Sequence, residues 1–179
     1  MSDMTTRTEN TSAQHTATPA FTAGRQLAVH LQQLHVDLID LHLQGKQAHW
    51  NVVGKNFRDL HLALDEVVDA AREFSDQIAE RMRALYIVPD GRAKTVAEQT
   101  SLPEFPMGEV DTAECVDLIV AALYATAGTA RRIHDNVDAE DPTTADILHT
   151  ILERVEQLAW MIDAENRVAN QSRPANITA

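Results

Sequence analysis

From Leu27 onward the chain places apolar residues three and four positions apart, at Leu27, Leu31, Leu34, Leu38 and Leu41. At 3.6 residues per turn this spacing gathers them on one stripe of an α-helix, and it predicts a first helix over about residues 24–52. Val53-Gly54 breaks the pattern, and Asn56 offers an N-cap to a second helix over about 57–84. Its stripe runs through Phe57, Leu60, Leu64, Val67, Ala71, Phe74, Ile78 and Met82. A longer connection follows, punctuated by Pro89-Asp90-Gly91, Pro103 and Pro106, with room for a short helix near Val96-Ala97-Glu98. Asp111 with Glu114 is a capping-box signature opening a third helix over about 111–137. Asp141 as N-cap with Pro142 at the first helical position opens a fourth over about 142–168.

Four long helices with one long crossover between the second and third predict an all-α fold, a ferritin-like four-helix bundle with a short helix in that crossover. Residues 1–22 are rich in Thr, Ser, Asn, Gln and Ala, have no apolar face, and are expected to form a flexible N-terminal tail. The bundle is expected over 23–168, and residues 169–179, with Pro174 barring a helix, form a short C-terminal tail.

Composition narrows the function classes. Among 179 residues there are 6 Gly and 6 Pro, and aromatics make up only 4%, as suits a helical chain. The single cysteine, Cys115, excludes an intrachain disulfide framework and fits a reducing cytoplasm. No run approaches the roughly 18 consecutive apolar residues of a membrane span, and the N-terminus lacks the apolar core of a secretory signal. A formal charge of −12 disfavours a generic nucleic-acid coat.

The candidate chemistry lies in His49, His61, Asp65, Asp76 and Glu80. On a helix turning 100° per residue, Asp65, Asp76 and Glu80 fall about 40°, 60° and 100° around from His61, so all four share one side. Antiparallel pairing across the short turn brings His49, at the end of the first helix, level with His61. Asp65 and Asp76, however, lie roughly 16 Å apart along the axis, too far to grip one ion. Two copies packed antiparallel across a two-fold axis would bring the His61/Asp65 end of one onto the Asp76/Glu80 end of the other. The spacing therefore calls for a metal site shared between subunits. Mixed His and carboxylate donors suit Fe(II), Mn(II) or Zn(II), and the absence of thiolates argues against a closed structural zinc site. The chain has no Glu-x-x-His, the repeated motif of di-iron sites inside one bundle.

Lys46-x-x-His49-Trp50-Asn51-Val52-x-Gly54, followed by Phe57, His61, Asp65, Asp76 and Glu80, closely resembles the Dps family of ferritin-like mini-ferritins. A second match runs from Asp141 through Thr144-Ala145-Asp146-Ile147-Leu148 to Trp160, so the likeness covers essentially residues 24–168. The resemblance implies a hollow homo-oligomer, a dodecamer, that oxidises ferrous iron, preferably with hydrogen peroxide, and stores the ferric product. It assigns His49, His61 and Asp65 as ligands from one subunit, and Asp76 and Glu80 as ligands from its neighbour. Trp50, beside His49, is a candidate for intercepting stray oxidising equivalents. It also makes Asp146 a candidate for the three-fold pores through which iron enters. Thr143 stands where the family often has an acid.

Other groups receive plainer readings. His35 and His42 continue the seven-residue spacing of His49 and are expected to form an exposed or interface stripe, while His134 and His149 are given no role. Trp160 is expected to be a packing anchor, and Asp138, Glu140 and Asp141 to serve capping and the helix dipole. Best-known family members attach to DNA through Lys-rich tails. Residues 1–22 contain no lysine, and the other end offers only Arg167 and Arg173. A nucleoid-coating protein is thus the weaker alternative. A dinuclear-metal amide hydrolase on the same scaffold is another, with no substrate pocket legible in the sequence.

Overall fold

The leucine stripe becomes the centre of the molecule: Leu27, Leu31, Leu34, Leu38 and Leu41 are all buried. The computed structural model describes residues 19–169. Its elements are α1 (Arg25–Asn51), β1 (Val52–Val53), α2 (Phe57–Ala84), α3 (Ala93–Gln99), β2 (Val110–Asp111), α4 (Thr112–Glu140) and α5 (Pro142–Asp163), followed by a 3-10 turn at Ala164–Asn166. Of the tails expected at 1–22 and 169–179, residues 1–18 and 170–179 lie outside the described residues.

Helix α1 packs on α2 and α4, and α5 packs on α4 and α2, closing a four-helix bundle. End contacts fix the directions. Gly24 before α1 donates its amide to Glu140 at the end of α4, and Arg81 late in α2 reaches Asp141 between α4 and α5. Asn166, after α5, reaches Ala113 and Asp117 at the start of α4. So α1 and α5 run one way, and α2 and α4 the other. The crossover carrying α3 must therefore travel the length of the bundle. At its far end β1 and β2 pair in parallel, Val52 with Val110 and Val53 with Asp111.

The core draws on all four long helices, including Leu64, Ile78 and Met82 of α2, Ile119 and Leu123 of α4, and Leu148 and Ile151 of α5. Helix α4 is long and apolar enough to cross a bilayer, but its apolar stretch is mostly buried inside the bundle. It is a core helix. The buried carboxylate of Asp37 is fully enclosed by donors: Gln33 Nε2, Ser101 N and Oγ, and Thr129 Oγ1. It ties α1 to α4 and to the crossover.

Several local expectations are corrected. The first helix stops at Asn51 because Val52 turns extended and enters β1. Asn56 precedes α2 but makes no side-chain cap; its φ of 59° completes a tight reversal begun at Gly54, and Asn tolerates that conformation. The fourth helix ends at Asp163 rather than near 168, where Asn166 is drawn onto the start of α4. Asp111 does cap α4, accepting from Ala113 N and Glu114 N. Asp141 instead uses its carboxylate to bind Arg81 and the Thr144 hydroxyl.

Candidate metal centre

The turn between α1 and α2 sets the site. Gly54 has a φ of +123°, which an L side chain rarely adopts, and a Cβ there would press to 3.2 Å from Thr112 Oγ1. The reversal brings the last turn of α1 beside the first turns of α2. His49 and His61 then stack, with ring centroids 3.7 Å apart and an interplanar angle of 25°.

Their hydrogen bonds are reciprocal. His49 Nδ1 donates to the His61 carbonyl at 3.1 Å, and His61 Nδ1 donates to the His49 carbonyl at 3.0 Å. The His49 carbonyl lies in the last turn of its helix, where carbonyls lack intrahelical partners. A carbonyl oxygen only accepts, so both ring protons are held on Nδ1 and both Nε2 atoms keep a free lone pair. That is the form in which imidazole ligates a metal.

Asp65 lies one turn beyond His61. Its Oδ1 accepts from Lys46 Nζ at 2.8 Å and approaches His49 Nδ1 at 3.3 Å. The Lys46 hydrogen bond holds the Asp65 carboxyl below the usual carboxylate range, outweighing the opposing effect of desolvation. Lys46 was not singled out as a functional side chain from the sequence, although Lys-x-x-His carried the signal: a spacing of three sets both on one face of α1. Phe57, expected in the core, is exposed and tilts against His61, with centroids 5.1 Å apart.

Asp76 and Glu80 sit on the exposed side of α2, well removed from this cluster. Asp76 lines an open cavity of about 500 Å³ with His35, Asp69, Arg72 and Glu73. One chain thus brings together His49, His61 and Asp65 but not Asp76 and Glu80. Among the described residues, no three or more His, Cys, Asp or Glu side chains are arranged to hold a metal ion within one chain. Trp50, next to His49, is 70% exposed.

The remaining expectations divide. His35 is buried rather than part of an exposed stripe; its Nδ1 meets the Ser75 carbonyl at 3.1 Å, and burial lowers its pKa. A Cβ on Gly91 would fall 3.1 Å from His35 Nε2 and 2.9 Å from Ile39 Cδ1, so the crossover seals this histidine only because residue 91 has no side chain. His42 is half-buried, and desolvation with the nearby Arg72 and Lys46 charges lowers its pKa. Trp160 is 61% exposed, so within the chain it anchors nothing. Glu140 and Asp141 are taken up by Gly24 and Arg81, whereas Asp146 points outward from the first turns of α5. Burial works to raise the Asp141 pKa, and the Thr144 hydroxyl and Arg81 outweigh it, leaving the group below its ordinary value. Cys115 is buried, which pushes its thiol up to about 11, with Asp111 and Glu114 adding to the effect.

Residues 28–170 match the model of the ferritin-like domain. The chain is 38% identical over 137 residues to DNA protection during starvation protein 2 of Deinococcus radiodurans, an alignment covering 75% of this chain and 56% of that protein. It thus spans little more than half of that relative's length. With the fine tangled pili major subunit of Haemophilus ducreyi the identity is 35% over 154 residues, covering 85% of this chain and 81% of the relative. The structure of Dps from Microbacterium arborescens in the high iron form is similar with a TM-score of 0.73 at 33% identity, covering 82% of this chain and 98% of that one. Dps92 from Deinococcus radiodurans gives a TM-score of 0.75 at 32% identity, covering 78% and 84%.

Proposed function

Because this chain belongs to the Dps family of ferritin-like proteins, we propose that it is a ferroxidase that oxidises Fe(II), preferably with hydrogen peroxide, and stores the ferric product inside a hollow dodecamer. The observation that carries this reading is the stacked His49/His61 pair, each locked with Nδ1 protonated and Nε2 free, beside an Asp65 carboxylate kept anionic by Lys46.

In this reading iron is the substrate, and the site closes across a two-fold interface. His49, His61 and Asp65 bind it from one chain; Asp76 and Glu80 come from a second copy. Glu80 can bridge two ferrous ions. Each ion gives one electron to the same hydrogen peroxide, the O–O bond breaks, two protons are taken up and two waters leave. Pairing the electrons avoids the hydroxyl radical that a single-electron transfer would release. Trp50 stands at the edge of the site to intercept an oxidising equivalent that escapes, and Asp146 lines the entry pore.

Protection of DNA, named in the Deinococcus relative, would come here through removal of iron and peroxide, in the cytoplasm, rather than through a coat. The formal charge of −12 and the absence of lysine in residues 1–22 oppose phosphate binding. The test is anaerobic: load the protein with Fe(II), add hydrogen peroxide, and follow ferric absorbance with peroxide consumed. Rapid oxidation at two irons per peroxide in soluble protein is the expected result. Oxidation no faster than in buffer overturns the proposal.

A further inference from the structure

A second histidine pair lies near the opposite end of the bundle. His134, late in α4, and His149, early in α5, face each other with Nε2 atoms 2.7 Å apart and ring centroids 4.8 Å apart. Behind each ring stands a carboxylate. Asp135 Oδ1 is 2.9 Å from His134 Nδ1, and Asp146 Oδ1 is 3.7 Å from His149 Nδ1.

A carboxylate only accepts, so Asp135 holds the His134 ring proton on Nδ1, while Asp146, beyond hydrogen-bond reach, acts on His149 through its charge alone. The His134 Nε2 lone pair is then left facing His149 Nε2 at 2.7 Å. A proton or a metal cation can fill that gap, and carboxylate behind imidazole is the arrangement that orients metal-binding histidines. The pair opens onto a shallow pocket of about 250 Å³ lined also by Arg131 and Leu152. Arg131, the nearby cation, is turned away into an ion pair with Glu156 at 2.6 Å, which offsets its charge.

We propose that His134 and His149 hold one divalent transition-metal ion between their Nε2 atoms, at a site separate from the His49/His61 centre. Tetrahedral coordination at about 2.0–2.1 Å per bond asks for roughly 3.3 Å between the two nitrogens. Exposed His149 can open that far by a small rotation of its ring. With two protein ligands per chain, the other positions fall to water in the pocket. An all-imidazole protein donor set selects Cu(II), Ni(II) or Zn(II) ahead of Fe(II). The site therefore takes a class of ion other than the iron cargo, and does not depend on the ferroxidase reading.

The test uses the assembled full-length protein with Zn(II) alone as probe. Zinc per chain is measured after dialysis in the wild type, in His134→Gln/His149→Gln, and in His49→Ala/His61→Ala. The first variant should lose one zinc per chain and keep its Fe(II) oxidation rate, and the second should retain that zinc. Crystals of the wild type soaked in Zn(II) should show an anomalous peak between the two Nε2 atoms. Unchanged zinc content in His134→Gln/His149→Gln, or no peak between the rings, overturns the proposal and leaves a shared proton as the occupant of the gap.

Discussion

His49 and His61 each donate Nδ1 to the other's backbone carbonyl, at 3.1 and 3.0 Å. The relation makes the ring tautomer a property of the backbone turn rather than of solvent. Orientation of the two Nε2 atoms is thus set before any ligand arrives, and the energetic cost of ordering two side chains falls on folding instead of binding.

Asp76→Ala should reduce peroxide-driven Fe(II) oxidation to the rate in protein-free buffer while the assembly keeps its size. The residue is exposed on α2, so its truncation leaves the core intact. Stopped-flow absorbance and size-exclusion chromatography read the two properties separately. Wild-type kinetics in this variant would sink the shared-site reading.

Lys46→Met should move the acid limb of the oxidation rate to higher pH. The hydrogen bond from Lys46 is the largest cause holding the Asp65 carboxyl below its ordinary value. Without it Asp65 takes up its proton at higher pH, and a protonated carboxyl is a poor ligand. A pH–rate profile of the variant checks the shift, and an unmoved acid limb would separate Lys46 from the chemistry.

Asp37→Ala should destabilise the bundle without touching the metal centre. Four donors, from Gln33, Ser101 and Thr129, lose their acceptor in a fully buried position. Leaving buried donors unpaired costs on the order of 3 kcal/mol or more. Chemical denaturation of the variant beside the wild type gives the difference.

His35 predicts a pH dependence of stability. Burial depresses its pKa, opposed by the Ser75 carbonyl and Asp90, and Asp69, Arg72, Glu73 and Asp76 line the cavity it faces. The unfolded chain, with an ordinary histidine pKa of about 6.5, then binds the proton more readily than the folded one. Its contribution is full above that value and is lost as pH falls through the lower, folded pKa. His35→Gln should flatten the decline in stability on acidification below neutrality, as measured by denaturant midpoints across that range.

The bundle was legible because its signals are local. Leucines three and four apart, Asp111 capping at Glu114, and Pro142 after Asp141 each act within a turn or two. The metal-centre candidates were legible for a related reason: His61, Asp65, Asp76 and Glu80 lie on one helix, where angle follows from sequence separation. What escaped depends on distant partners. Phe57 sits on the apolar stripe of α2, but its place beside His61 follows from the turn. Burial of His35 needs the crossover and a glycine at 91 to cover it. The pairing of Val52 with Val110 joins residues that no local period connects. The His134/His149 pair, given no role from sequence, belongs to two different helices and appears only once α4 and α5 pack.

The two-residue ladder at the head of the bundle has a consequence in time. A strand of that length has no independent stability, so β1 stays extended only when β2 lies alongside it. Thr112, which crowds Gly54, arrives with the same segment. A chain emerging from the ribosome through the end of α2 already contains His49, His61 and Asp65 but lacks the strand that pairs with β1 beside the turn that aligns them. The clasp closes only when the second half of the polypeptide has been made, so geometric readiness of the histidines is a late property of synthesis.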